Sequence, residues 1–267
     1  MPERETTQKS ESKILSLSNR EIRAYARERL LGNMLIPCIV TFFFFSARHT
    51  FEMLMQLGVL GRDAFSFFFY IALFIVINTI WGLIRYGITR YYLSFVTLKK
   101  ANPLNVFAGF MQSTEVIITS SLILSFISLI LELPYLIYSF FFEVETINSL
   151  IIGLIILFVG NIIYYLIEAY LAPLYFVICD YPNMRLPMII IMTLSLMNAK
   201  NFFKYIWLQI SFIPLYLLGF LSLGIGLLWV VPYAYTSYAY FYENLCESYL
   251  QKQKESESTV EEENPEI

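Results

Sequence analysis

The sequence predicts an all-α, multi-pass transmembrane helical bundle with six spans and both termini cytoplasmic, and three observations predict it. Six apolar runs reach or approach the roughly 20 residues that a helix needs to cross a hydrocarbon core about 30 Å thick. Charge concentrates at both termini and in the short stretches between those runs. Lysine and arginine gather on one side of the resulting topology. Hydrophobic residues make up 58% of the 267 and charged residues only 15%. Setting aside the 20 Tyr and counting the 11 Gly leaves about 55%, above the roughly 45–50% of soluble domains.

Residues 1–17 are polar and read as a flexible arm. An amphipathic cytoplasmic helix over 18–32 follows, because Ser18 and Glu21 form the Ser-x-x-Glu pattern that satisfies free backbone amides at a helix start. At 100° per residue Arg20, Arg23 and Arg27 share one side of it, with Ile22, Tyr25, Ala26 and Leu30 opposite. The transmembrane domain, 33–246, holds spans at about 33–53, 64–84, 115–140, 149–172, 203–222 and 225–245. The second is the clearest: Ala64 to Ile84 carries no charge and contains 13 Leu, Ile, Phe or Val, worth roughly −4 to −8 kcal/mol of insertion energy at about −0.3 to −0.6 each. The first is the weakest, since Arg48, His49 and Glu52 interrupt it. Leu186 to Met197, a dozen apolar residues carrying Pro187, is too short to cross and reads as an interfacial or re-entrant segment within 186–198. Residues 247–267, rich in Glu and without an apolar run, read as an acidic disordered tail.

Orientation follows from the cationic residues, which translocate poorly. With the amino terminus inside, sixteen of the eighteen Lys and Arg fall on the cytoplasmic side, leaving Arg48 and Arg62 outside. The localisation expected is a plasma (inner) membrane.

Inside the bundle, Pro37, Pro134, Pro173, Pro214 and Pro232 fall in five different spans and predict kinks. Gly224 and Gly226 predict a tight hairpin between spans five and six. Trp229, Tyr233, Thr236 or Ser237, and Tyr240 recur at helical spacing on span six, as an interfacial aromatic belt or a ligand-stacking face. Glu132, Glu168, Arg85 and Asp180 plot near span ends, where their charges can snorkel to the headgroups, while Asn78, Asn161, Gln209 and Ser211 read as hydrogen-bond glue between helices. Cys38, Cys179 and Cys246 read as small fillers with reduced thiols. The only histidine is His49. No cluster of metal-ligand spacing, nucleophile with a base, or glycine-rich phosphate loop is visible, so no cofactor or metal is expected. Membrane lipids and other membrane proteins are the expected partners; a net charge of −3 does not favour nucleic acid.

Several stretches carry a family resemblance. They are Glu21-Ile-Arg-Ala-Tyr-Ala-Arg27 with Leu31-Gly-Asn33; Gly87 with Tyr91-Tyr-Leu93 and Phe107-Ala-Gly-Phe110; Asp180, Pro182, Ser195 and Met197; Leu208-Gln-Ile-Ser-Phe212 with Leu217-Leu-Gly219; and Leu223-Gly-Ile-Gly-Leu-Leu-Trp-Val-Val-Pro-Tyr233 with Phe241-Tyr-Glu-Asn-Leu245. Over most of residues 18–246 the chain resembles a bacterial integral membrane family, domain of unknown function 975. The resemblance implies a six-helix bundle in a bacterial plasma membrane and supplies no activity. It singles out Asp180, Ser211, Gly224, Gly226, Trp229, Pro232 and Tyr233 as motif positions. The leading functional expectation is a non-enzymatic accessory or scaffold protein of the envelope or of an export process. The alternatives are a small transporter or permease component and, more weakly, a lipid-modifying enzyme around Asp180 and Glu168. Polar groups converging on a cavity would favour transport over a scaffold.

Overall fold

A computed structural model of the protein describes residues 17–57, 63–98, 101–111, 114–142 and 146–263, which are helical with no strand among them. The arm before Leu17, together with Arg62, Lys99 and Lys100 from the cation pattern, lies outside the described residues.

Helix α1 (Asn19–Leu30) starts where the sequence places it. Glu21 N–H donates to the Ser18 hydroxyl oxygen and Ser18 N–H donates to the Glu21 carboxylate, both halves of the capping box. After Gly32, at φ +77°, the chain turns through 106° into α2 (Leu35–Leu57). Helix α3 (Ala64–Thr97) begins at Asp63, whose carboxylate accepts from the Ser66 hydroxyl and amide. The hydroxyl donation holds the Asp63 carboxyl below its ordinary range. This helix extends beyond the expected span, 64–84: it runs on through Arg85 and Arg90 to Thr97, because neither charge breaks helical backbone and Tyr86, Ile88, Tyr91, Tyr92 and Leu93 are buried.

A short 3₁₀ turn (Pro103–Phe107) and α4 (Ala108–Met111) then fold back along α3. Two glycines permit this: a Cβ on Gly87 would lie 1.8 Å from the carbonyl oxygen of Val106, and one on Gly109 would lie 2.2 Å from that of Leu83. The backbones touch directly. Next come α5 (Thr114–Phe141), α6 (Ile147–Tyr170), capped by Thr146, and α7 (Leu174–Asp180), followed by α8 (Leu186–Leu196). Helix α9 (Ala199–Ile210) is capped by Asn198, whose side chain accepts from Asn201 N–H, and breaks at Ser211 and Phe212 before α10 (Ile213–Leu221). The fifth expected span is therefore two helices. A turn with Gly224 at φ +83° reverses the chain into α11 (Leu227–Glu263).

That last helix corrects the expected disorder from residue 247, since it continues to Glu263. Glu, Lys and Gln are good helix formers, and extending an anchored helix avoids the cost of nucleation. Among the described residues four helical stretches are long and apolar enough to cross a membrane: α3, α5, α6 continued by α7, and α9 continued by α10. The bent pair of α1 and α2 makes a fifth if taken together. These stretches mark a membrane protein. Helix α8, at 11 residues, is shorter than a crossing.

The core has two parts. A large cluster joins α3, α7 and α11 around Tyr86, Tyr91, Tyr92, Tyr242 and Phe212. A smaller one, Phe67, Phe74, Leu129, Leu136 and Phe140, holds the other end of α3 to α5.

Candidate functional site

Helices α3 and α6 both begin at capped amino termini, and each carries a charged residue about 30 Å farther on at 1.5 Å per residue: Arg85 on α3 and Glu168 on α6. The two side chains meet in an ion pair. About 28% of the Arg85 side chain and 31% of the Glu168 side chain remain accessible, so the pair borders space rather than filling it. That space is a cavity of about 260 Å³, bounded by α3, α6, α7, α9, α10 and α11.

The lining is polar and aromatic. Tyr165, Tyr175, Tyr205, Tyr216, Tyr235 and Tyr238 surround the ion pair, with Gln209 and Thr89. The Tyr165 hydroxyl donates to Gln209 Oε1, bridging α6 to α9. The Arg85 guanidinium lies 5.5 Å from the centre of the Tyr175 ring, a cation–π contact. The Tyr175 and Ser121 hydroxyls share a hydrogen bond of 3.2 Å. Tyr238 packs against Tyr205 and Tyr235, with ring centres 5.5 and 5.9 Å apart, and Tyr235 stacks on Tyr92 at 5.3 Å. The cavity thus offers one cation, one anion, an amide and a wall of rings with hydroxyl tips. Ala172, in the helix break at 171–173 between α6 and α7, lines it, and Gln209 and Tyr216 line it from either side of the break at 211–212 between α9 and α10.

The family model described as "Protein of unknown function (DUF975)" matches residues 17–248. The chain belongs to this family. No curated protein and no solved structure matches it.

In this DUF975 chain the motif positions divide among four places, none of them lining the tyrosine cavity. Asp180 ends α7, where it accepts from the buried Tyr242 hydroxyl at 2.7 Å. Two residues further along α11, Asn244 Oδ1 accepts from Lys204 Nζ at 3.1 Å. Gly224 and Gly226 build the hairpin turn: a Cβ on Gly226 would come within 2.8 Å of the Gly219 Cα. Pro232 lies inside α11, and its carbonyl accepts from the Thr236 hydroxyl at 2.7 Å. Ser211, Trp229 and Tyr233 converge instead on α1. The Tyr233 hydroxyl donates to Arg23 O at 3.1 Å and accepts from Arg23 Nε at 3.3 Å.

The residues that sequence reasoning missed are the tyrosines of the cavity and the partnership of Arg85 with Glu168. Each charge, taken singly, reads as a snorkelling span end. A signal was available: two apolar runs that point the same way are each closed by an opposite charge at the same distance from their start. Glu132 finds a local partner, with the Ser128 hydroxyl donating to it at 3.4 Å.

Proposed function

We propose that this chain is a six-crossing protein of the bacterial plasma membrane with both termini cytoplasmic, and that it binds a small zwitterionic solute in the tyrosine cavity as a transporter or permease component. The observation that carries the ligand assignment is the accessible Arg85–Glu168 pair inside a ring of tyrosines. An ion pair withdrawn from water loses several kcal/mol if one partner is left alone. A ligand bearing a single charge would compensate one of the two and strand the other. A zwitterion compensates both, its anion on Arg85 and its cation on Glu168, with tyrosine faces available to the cationic end. The volume is ample, since an engineered cavity of about 150 Å³ in another protein admits benzene.

The topology reading is supported by sixteen of eighteen Lys and Arg falling on one side. In it α2 and α11 are the first and sixth crossings, although neither by itself is long and apolar enough to stand among the four. A polar cavity beside two broken helices is also how secondary transporters expose backbone and side-chain groups to their substrates. That favours the permease reading over a purely structural scaffold.

The test is a thermal-stability screen of the purified full chain in detergent against small amino acids, betaines and phosphoethanolamine. Each is paired with its singly charged analogue. At least one zwitterion should raise the unfolding midpoint by several degrees where its analogues do not, and the gain should vanish in Arg85→Gln/Glu168→Gln, which keeps size while removing both charges. Equal effects of zwitterions and monoions, or an unchanged gain in the double variant, would refute the assignment.

A further inference from the structure

Three of the motif positions, Ser211, Trp229 and Tyr233, sit around α1 rather than in the tyrosine cavity, and what surrounds them is a second site with two unlike halves. The polar half is a cavity of about 250 Å³ lined by Arg20, Arg23 and Arg27, successive on one face of α1, together with Ser211 and Tyr233. Arg23 is already fixed: its Nε donates to the Tyr233 hydroxyl, and its guanidinium lies 5.1 Å from the centre of the Phe212 ring. Arg20 and Arg27 are exposed. The mostly apolar half is an open groove of about 720 Å³ lined by Ala24, Leu30, Leu31, Leu215, Trp229 and Val230, with Glu28 at its edge. Arg27 and Tyr233 border both halves, so the basic cavity and the apolar groove adjoin.

We propose that these two halves together form a specific site for one anionic phospholipid, its phosphate among Arg20, Arg23 and Arg27 and an acyl chain along the groove beneath α1. Charge complementarity selects the headgroup, because guanidinium groups bind phosphate oxygens in bidentate fashion. The adjoining groove selects a lipid over a free phosphate ester, which would occupy the polar half and leave the apolar half open. Position agrees as well. Helix α1 lies at 106° to α2, so when α2 crosses the bilayer α1 runs close to its plane, at the level of anionic headgroups. Trp207 and Trp229, both largely exposed, flank the two halves as interfacial tryptophans do. The proposal rests on the membrane reading but not on the ligand of the tyrosine cavity.

The test uses the full chain in detergent micelles and the quenching of its tryptophans by phospholipids with brominated acyl chains. The Trp229→Phe variant identifies the share of the signal that arises in the groove. Brominated phosphatidylglycerol should reach half-quenching at about 25-fold lower mole fraction than brominated phosphatidylcholine, the exposed Arg20 and Arg27 each contributing about a factor of five. Arg20→Gln/Arg27→Gln, which spares the packed Arg23, should bring the two lipids within about twofold. Ala24→Phe, which fills the groove, should lower Trp229 quenching by both. Should the double variant elute as aggregate, raising the ionic strength on the wild-type chain must shrink the preference by screening. Equal quenching by both lipids overturns the proposal, as does a preference indifferent to the arginines and to salt. Displacement of phosphatidylglycerol by an equal concentration of glycerol phosphate would assign the site to a soluble phosphate ester instead. Absence of quenching together with a dimeric mass would assign the groove to a second copy.

Discussion

Helices α6 and α11 invert the rule that the oiliest segment lies deepest. Helix α6 is rich in Ile and Leu, yet its buried residues are only Gly153, Gly160 and Ala169, while Leu154, Ile155, Phe158 and Val159 are exposed. Helix α11 does not reach the hydropathy of a crossing, yet it buries Val231, Ala234, Thr236, Ser237, Ala239, Phe241, Tyr242 and Asn244. In a bilayer the solvent is hydrocarbon, so an exposed face must be apolar throughout. An interior face can carry hydroxyls and amides once they are paired, as Thr236 is with the Pro232 carbonyl. Hydropathy in such a chain reports contact with lipid rather than burial.

The contrast can be broken from either side. The largest effect is expected in the interior. Tyr92→Ala removes a fully buried ring stacked on Tyr235 and strands the Thr41 hydroxyl that it bonds at 3.2 Å, and it should cost about 3–5 kcal/mol, read as a lowered unfolding midpoint in detergent. On α6, Phe158→Arg places a charge on an exposed face near the middle of the helix. A water-facing position would tolerate this; a lipid-facing one should lose about 3 kcal/mol of insertion energy and most of the membrane-fraction yield. Leu250→Arg, equally exposed but beyond the proposed sixth crossing, should leave that yield unchanged. If the two arginine variants behave alike, α6 does not face lipid. The smallest change is expected at the aqueous edge. Ser18→Ala deletes the cap of α1 and should cost about 1 kcal/mol, detected as faster amide exchange over residues 19–22.

The legible parts of the fold were those set by local chemistry. The Ser18–Glu21 cap, the apolar runs of α3, α5 and α6 and the Gly224–Gly226 reversal all depend on neighbours within a few residues. What could not be read depends on distant partners. The continuation of α3 past Arg85 is stabilised by packing against segments far along the chain, and the role of α11 as a core helix follows from what covers it. The cavity is the extreme case, because its tyrosines come from five helices and each, in isolation, looks like part of an interfacial belt. Of the flagged positions, Ser211, Trp229 and Tyr233 do come together, although around α1 and not around the ion pair.

Where the chain folds back on α3, the main chain at Val106 rests on Gly87 and that at Leu83 rests on Gly109, with no side chain between them to act as a cushion. Elsewhere in the molecule a misfit can be absorbed by a rotamer change, but at this seam the only thing that can yield is the backbone of α3 itself. Sequence drift should therefore be nearly forbidden at Gly87 and Gly109 while the outer face of α6 accepts almost any aliphatic residue. The short segment from Pro103 to Met111 must also travel with α3 as one solid piece whenever the bundle moves.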